Sequence, residues 1–197
     1  ALINSVNKIT EFSSSVISYD ANDKFIIASV KSKRKKNGFA YSDVYLIHDN
    51  ASQVMFSPDM QVSKIDLHPF NKEIAFNAKW IDHELEVTSE IGIYDFNSKR
   101  YVILTKSSGV DTTPVYSPEG ESIAYLSARN IDGWAYDLKP RIIDLSTRNV
   151  GTLTLEPLDS CKSLKWDSDG VLYITLKKTK QIIERNGREG SNFNFSF

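Results

Sequence analysis

The sequence predicts an all-β protein that forms a segment of a β-propeller, with about four four-stranded antiparallel blades. Three observations predict this fold: one motif recurs four times, each copy indicates a strand, a tight turn and a second strand, and helical periodicity is nearly absent. A large apolar residue anchors each copy, and the anchors lie 48, 49 and 50 residues apart: Tyr19, Leu67, Tyr116 and Trp166. Four strands in a repeat of about 50 residues is the layout of a propeller blade.

The third copy of the motif shows the pattern most fully. Tyr116 ends the first strand, Ser117–Gly120 supply turn residues, and Ile123–Leu126 form an apolar run. Proline presets φ and glycine supplies φ > 0 in such turns. A continuous apolar run is typical of a strand that is buried on both faces. We therefore expect the four anchors to pack between neighbouring blades.

Two further strands complete each repeat. The third strands are predicted at Val44–Asp49, Ile91–Phe96, Lys139–Leu145 and Gln181–Glu184. The fourth strands are predicted at Gln53–Phe56, Arg100–Thr105, Asn149–Thr154 and Ser191–Phe197. We expect blades at residues 13–60, 61–110, 111–158 and 159–197. Because Val6–Thr10 resembles a fourth strand, residues 1–12 are predicted to end a preceding blade of a larger propeller with seven or eight blades.

Composition argues against several partners. The net charge is −1, with 24 Lys and Arg against 25 Asp and Glu, so the excess of positive charge that nucleic-acid binding needs is absent. No stretch approaches the ~18 apolar residues of a membrane span. Cys161 is the only cysteine, which rules out an internal disulfide and a cysteine-based metal site. We expect no metal and no cofactor, and both a secreted and a cytoplasmic location stay open.

The third copy resembles the repeats of TolB and prolyl oligopeptidase propellers. Their consensus is Pro-x-aromatic-Ser-Pro-Asp-Gly followed by Ile-Ala-Phe/Tyr, and Thr113–Tyr125 matches it nearly throughout, with Glu119 in place of Asp. A closer likeness is to the propellers of dipeptidyl-peptidase V and acylaminoacyl-peptidase-like enzymes. It rests on Ile74–Ala78, Thr88–Asp95 and Asp132–Asp137, and covers most of residues 60–175.

The resemblance implies a non-catalytic domain. Such peptidases carry their serine in Gly-x-Ser-x-Gly on an α/β-hydrolase domain, and this sequence has nine glycines but no such motif. No catalytic residue is therefore assigned. In that family the propeller covers the active site and selects short or unfolded peptides, which implies as partners a peptide substrate or a hydrolase domain of the same protein. The alternative is a TolB-like propeller that binds a partner protein, because fold alone does not fix function.

The connections between second and third strands are the predicted site of function. The sequence predicts long loops there, at Lys31–Ser42, Ala78–Glu90 and Ser127–Leu138, and strand alternation brings them to one face of the disc. Long loops on a rigid scaffold often carry function. We expect this face to contact peptide or a hydrolase domain.

Each connection contains candidate binding residues, and for each set a purely structural role is the alternative. Lys33 and Arg34 belong to a basic run that could bind an acidic partner or form a solvated hairpin end. An acidic run could hold the α-amino group of a peptide, or be a hydrated loop: Asp82, His83, Glu84 and Glu86. The third set could line a peptide path or pack on the next blade: Trp134, Tyr136 and Asp137.

Overall fold

A computed structural model describes residues 10–49, 51–106, 109–129, 138–153, 160–176, 182–183 and 195–196. The described residues form β-strands joined by turns, with no helix among them, which confirms the predicted all-β class. The strands assemble into antiparallel units that follow one another along the chain, and a parallel bridge between Ser89 and Val110 links the second unit to the third. In this part of the chain there is accordingly no helix long and apolar enough to cross a membrane.

Three four-stranded units and one three-stranded sheet repeat the same antiparallel order. The first consists of β1 (Val16–Ala21), β2 (Ile26–Lys36), β3 (Phe39–His48) and β4 (Ala51–Phe56). The second consists of β5 (Gln61–Leu67), β6 (Glu73–Ile81), β7 (Val87–Asp95) and β8 (Arg100–Ile103). The third consists of β9 (Gly109–Tyr116), β10 (Ser122–Arg129), β11 (Lys139–Asp144) and β12 (Val150–Leu153). The fourth contains β13 (Cys161–Trp166), β14 (Leu172–Leu176) and β15 (Ile182–Ile183).

The last described strand departs from the predicted arrangement. The sequence predicts Ser191–Phe197 as the fourth strand of the fourth blade, but β16 (Phe195–Ser196) pairs with β12 of the third sheet. The outer edge of β12 carries backbone groups that its own sheet leaves unpaired, and β16 satisfies part of that edge. The predicted strand Val6–Thr10 lies outside the described residues except for Thr10.

The core lies between the sheets. Side chains alternate along β6, so that Ile74 and Phe76 pack toward Ile27 of the first sheet while Ala75 packs with Ile123 of the third. All five are fully buried, and burying each large apolar side chain contributes roughly 1.5–3 kcal/mol. This arrangement explains why the second strand of each repeat is apolar at consecutive positions.

Carboxylates on the first strands join successive sheets. Asp20 Oδ2 accepts a hydrogen bond from the backbone N–H of Leu67 at 2.7 Å. Asp66 Oδ2 accepts one from the N–H of Tyr116, also at 2.7 Å. The two bonds are equivalent because Leu67 and Tyr116 occupy the same position in their sheets. In the third sheet Val115 stands at the corresponding position and offers no acceptor.

The prediction that Tyr19 packs between blades is wrong. Leu67 and Tyr116 each lie opposite the residue that follows a six-residue turn, Ile74 and Ile123 respectively. In the first sheet Ala21 lies opposite Ile26, so that only residues 22–25 form the turn. Because this turn is two residues shorter, Ala21 takes the place of the anchor. Tyr19 and Ala21 share the face of β1 that is turned away from the second sheet; no described sheet packs on that face, and Tyr19 is 71% exposed.

Two of the predicted long loops are strands. β2 and β3 run on to a tight turn at Asn37 and Gly38, which have φ of 49° and 80°, as a two-residue hairpin turn requires. β6 and β7 extend to Ile81 and from Val87, so the connection is only residues 82–86. The charged residues that suggested loops lie on the solvated ends of these hairpins. Most of the third predicted loop, residues 130–137, lies outside the described residues.

Candidate functional site

Arg34 fastens the first hairpin to the connection that leads into the second sheet. Its Nη1 lies 2.9 Å from Asp59 Oδ1, and its Nη2 lies 3.2 Å from both Asp43 Oδ1 and the carbonyl oxygen of Pro58. The guanidinium also stands 5.7 Å from the ring centroid of Tyr41. Planar guanidinium groups suit such multiple contacts. Arg34 therefore holds the hairpin in place, and its charge is already matched by two carboxylates.

Asp43 is the inner partner of Arg34. Burial opposes its ionisation, but hydrogen bonds from Ser57, Ser32 and Arg34 outweigh that effect, and the pKa of Asp43 is below its ordinary value. The carboxylate is thus ionised at neutral pH. Since the Arg34 side chain is 41% exposed and that of Asp43 23%, solvent screens the pair, and we expect it to orient the hairpin more than to stabilise it.

Lys33 lines a polar cleft beside this pair. The cleft has a volume of about 300 Å³ and is walled by Phe12, Val30, Asp43 and Tyr45. The rings of Phe12 and Tyr45 lie 4.8 Å apart and close one side. Lys33 and Arg34, which the sequence identifies as candidates, therefore do lie at one concave surface, and Lys33 is exposed there.

The acidic candidates form the end of the second hairpin. Asp82 Oδ1 accepts hydrogen bonds from the N–H groups of Glu84 at 2.9 Å and Glu86 at 3.0 Å. His83 Nε2 lies 3.7 Å from Glu84 Oε1, and their side chains are 89% and 71% exposed. Asp82 thus shapes the turn, whereas His83, Glu84 and Glu86 project into solvent. Leu85 adopts a left-handed φ of 65° and is 68% exposed.

The candidate residues belong to separate hairpins that end on the same side of the sheets, because both join a second strand to a third. The remaining candidates, Trp134, Tyr136 and Asp137, lie outside the described residues. Within the described ranges, no group of three His, Cys, Asp or Glu residues is placed to hold a metal ion.

A buried polar network beneath the second hairpin was not predicted. Asn77 Nδ2 donates to Ser89 Oγ at 3.0 Å, to the Glu90 carbonyl at 3.2 Å and to the Asp111 carbonyl at 2.8 Å. Ser63 Oγ donates to Asn77 Oδ1 at 3.2 Å. The network joins the second and third sheets below the hairpin ends. Its sequence signal is a single asparagine in the apolar run of β6, which a buried hydrogen-bonded side chain explains.

A second cluster joins the turns at the opposite end of the same sheets. His68 Nδ1 accepts from the N–H groups of Phe70 at 3.1 Å and Asn71 at 2.9 Å. Its ring packs 4.8 Å from that of Tyr116, whose hydroxyl donates to Glu73 Oε1 at 2.5 Å. Burial lowers the pKa of His68, against the opposing influence of Glu73 and a hydrogen bond with the backbone of Gly120.

Tyr116 and Asp66 show the electrostatic consequence of packing between sheets. Burial, together with Glu73, raises the pKa of Tyr116. Burial also raises the pKa of Asp66 to about 7; the Tyr116 N–H opposes the rise, and the Asp20 charge adds to it. These groups lie within the stack of sheets, away from the hairpin ends, so we interpret their role as holding the second and third sheets together.

The fold is that of a β-propeller segment, as the comparisons with known proteins show. TolB from Acinetobacter baumannii superposes with a TM-score of 0.64 at 19% identity, over 92% of this chain and 40% of that one. The β-propeller domain of the trilobed protease from Pyrococcus furiosus gives a TM-score of 0.53 at 10% identity, over 89% of this chain and 58% of that one. At these identities the likeness extends to the fold alone.

One curated sequence adds a local similarity to a peptidase. Dipeptidyl-peptidase 5 of Porphyromonas gingivalis is 31% identical over 102 residues, which is 50% of this chain and 15% of that protein. The chain therefore aligns with a small part of that relative's length. No protein-family model matches the sequence.

Proposed function

We propose that this chain is the non-catalytic β-propeller segment of a serine exopeptidase or oligopeptidase, which selects peptides for an α/β-hydrolase domain outside the sequence. The observation that carries the proposal is the 31% identity with dipeptidyl-peptidase 5 over 102 residues. The propeller fold is compatible with it, since solved peptidases include propeller domains of this kind. Selection would act at the hairpin ends, where a hydrolase domain or peptide meets the charged residues.

The two hairpins supply complementary groups for a peptide. The acidic end offers the carboxylates of Glu84 and Glu86, which suit a free α-amino group. The polar cleft offers Lys33, which suits a carboxylate. Arg34 ties the first hairpin to the connection that follows it, and Asp82 shapes the turn of the second, so the backbone that carries these charges is anchored at both hairpins.

The parent protein tests the proposal directly. An antibody raised against this chain would capture the natural protein from its source, and intact-mass measurement and labelling with a serine-reactive fluorophosphonate would follow. The proposal expects a mass well above 22.3 kDa and covalent labelling of the captured protein. A captured protein of about this mass that does not label would contradict it.

The alternative is a TolB-like module that binds a partner protein. The exposed apolar side chains of Leu85 and Val87, 68% and 56% accessible beside the acidic turn, favour a contact surface of this sort. A captured protein that is larger than the chain, does not label with the fluorophosphonate, and brings down a stoichiometric partner would favour this alternative. Substituting Leu85 and Val87 with serine would then release the partner.

A further inference from the structure

An aromatic cleft lies between the first and second sheets, on the side opposite the hairpin ends. It is built from the β1–β2 turn, β3, β4 and the two turns of the second sheet, and has a volume of about 310 Å³. Phe25 and Phe96 contact each other edge-on, with ring centroids 6.0 Å apart, and form one aromatic wall of the cleft. Leu46 and Met55 also line it. This volume is at the small end of the ~300–1,000 Å³ typical of ligand sites, so it suits one or two side chains.

Apolar surface continues outward from this cleft. Val54 lines the cleft and is 48% exposed. Tyr101 is 44% exposed, and its ring lies 6.4 Å from that of Phe56, which stacks on Tyr94 at 4.1 Å. Clustered exposed apolar side chains beside a concave surface mark a contact site more often than isolated ones do. An extended ligand would therefore find apolar contacts both in the cleft and beside it.

The charged groups that line the cleft are all positive. Lys72 and Lys99 line it, together with the polar side chains of Gln53 and Asn97, and no acidic side chain does. Among the described residues neither lysine forms an ion pair. The nearby Asp95 does not line the cleft, and its Oδ1 accepts a hydrogen bond from Ser98 N at 2.6 Å in the turn after β7.

The backbone holds both lysines at the cleft. The N–H of Phe96 donates to the carbonyl oxygen of Lys72 at 2.9 Å, which fixes the turn carrying Lys72 beside the aromatic wall. Lys99 has a left-handed φ of 55° in the turn between β7 and β8, a conformation that residues other than glycine seldom adopt. Two lysines thus line one aromatic cleft, while the chain as a whole is slightly acidic.

We propose that this cleft binds a short acidic peptide segment, whose apolar side chain packs against the Phe25 and Phe96 rings while flanking carboxylates pair with Lys72 and Lys99. The aromatic walls provide burial for the side chain, and the lysines select carboxylates by charge. An oligonucleotide would also bring negative charge and a flat ring. It fits less well, because two lysines and a net charge of −1 are far from the basic surface that phosphate backbones require.

The site is independent of the hairpin ends. The turns that form it join first to second strands and third to fourth strands, whereas the hairpins join second to third strands, so the two sites lie at opposite ends of the strands. A failure of one proposal therefore leaves the other intact.

Fluorescence anisotropy with defined peptides tests the cleft. The probe is fluorescein-labelled Asp-Asp-Phe-Glu-Asp with blocked ends. One control peptide replaces phenylalanine with serine, and the other replaces the acidic residues with lysine. The proposal expects saturable binding of the probe, and binding at least about tenfold weaker for each control peptide. Equal binding of the probe and either control would overturn it, as would tighter binding of a labelled hexathymidylate.

Charge-reversed variants place the binding on the molecule. The doubly substituted Lys72→Glu/Lys99→Glu chain should bind the probe at least about tenfold more weakly than the unsubstituted chain. The matched control is Lys162→Glu/Lys165→Glu, which changes the net charge equally on the exposed face of β13 and should bind normally. Equal weakening in both variants would show nonspecific attraction and refute the site. An amide chemical-shift titration of the unsubstituted chain gives a second readout, in which shifts centred on Phe25 and Phe96 support the cleft and shifts elsewhere contradict it.

Discussion

Replacing Asp66 with asparagine should change the pH dependence of folding stability. The carboxyl is packed between the second and third sheets, and its pKa is raised from 3.8 to about 7, mainly by burial. The unfolded chain releases this proton near pH 3.8, while the folded chain retains it to about pH 7. The stability associated with Asp66 is therefore fully present below pH 3.8 and is lost as the pH rises through 7.

The size of the effect follows from the two pKa values. One pKa unit corresponds to about 1.4 kcal/mol, so the shift of about three units amounts to roughly 4 kcal/mol over the whole range. Of this loss in the free energy of unfolding, roughly 3 kcal/mol occurs between pH 5 and pH 8.5 according to the linkage relation. Asparagine keeps an oxygen that can accept the Tyr116 N–H and carries no charge. The variant should escape the loss.

Urea unfolding at pH 5 and pH 8.5 measures the difference. We compare the free energy of unfolding of Asp66→Asn with that of the unsubstituted chain at each pH. This difference should favour the variant by about 3 kcal/mol more at pH 8.5 than at pH 5. Because His68 and the other ionisable groups are present in both proteins, their contributions largely cancel in this comparison. A difference between the two pH values below about 1 kcal/mol would refute the argument that Asp66 is desolvated between the sheets.

Three other predictions rest on the same contacts. In denaturant unfolding, Gly120→Ala should lower the free energy of unfolding by about 2–4 kcal/mol, because its Cβ would overlap the His68 ring at a φ of +74°. Gly170→Ala, which has a φ of +77° and open space around it, should lower it by only about 1 kcal/mol. Equal losses in the two variants would contradict the clash. Asn77→Ala should lose about 2–4 kcal/mol, since it leaves buried hydrogen-bonding groups without their partner, and a loss under 1 kcal/mol would show that the network is dispensable. The contribution of His68 to folding stability should be complete above pH 6.5 and decrease as the pH falls, because the folded state disfavours the protonated ring. A pKa of His68 at or above 6.5, measured by NMR titration, would contradict this prediction.

The repeat made most of the fold predictable. Leu67 and Tyr116 lie one period apart, and the structure places them at the same position of successive sheets. The apolar run of β6 was predictable as a strand buried on both faces because sheets pack on either side of it. Repeats carry such information because each one must bury the same faces against its neighbours.

The features that sequence missed depend on turn length and on distant partners. Spacing from Leu67 predicts Tyr19 as the anchor of the first repeat, but spacing does not reveal that the first turn is two residues shorter. Arg34 lies in a basic run that indicates a solvated end, yet its partners come from the paired strand and from the connection to the next sheet, at Asp43 and Asp59. Such contacts follow from how the hairpin twists, which residue order alone does not specify.

Gly120 and Gly170 show how equivalent sequence positions acquire different constraints. Both follow the first strand of a repeat, and both have a left-handed φ, of 74° and 77°. The carboxylate of Asp66 draws the first strand of the third sheet against the second sheet, which brings the turn containing Gly120 onto the His68 ring. Between the third and fourth sheets the corresponding residue is Val115, which provides no such acceptor, and the space around Gly170 is open. Glycine at position 170 is thus required by backbone conformation alone, whereas glycine at position 120 is required also by the close approach of two sheets.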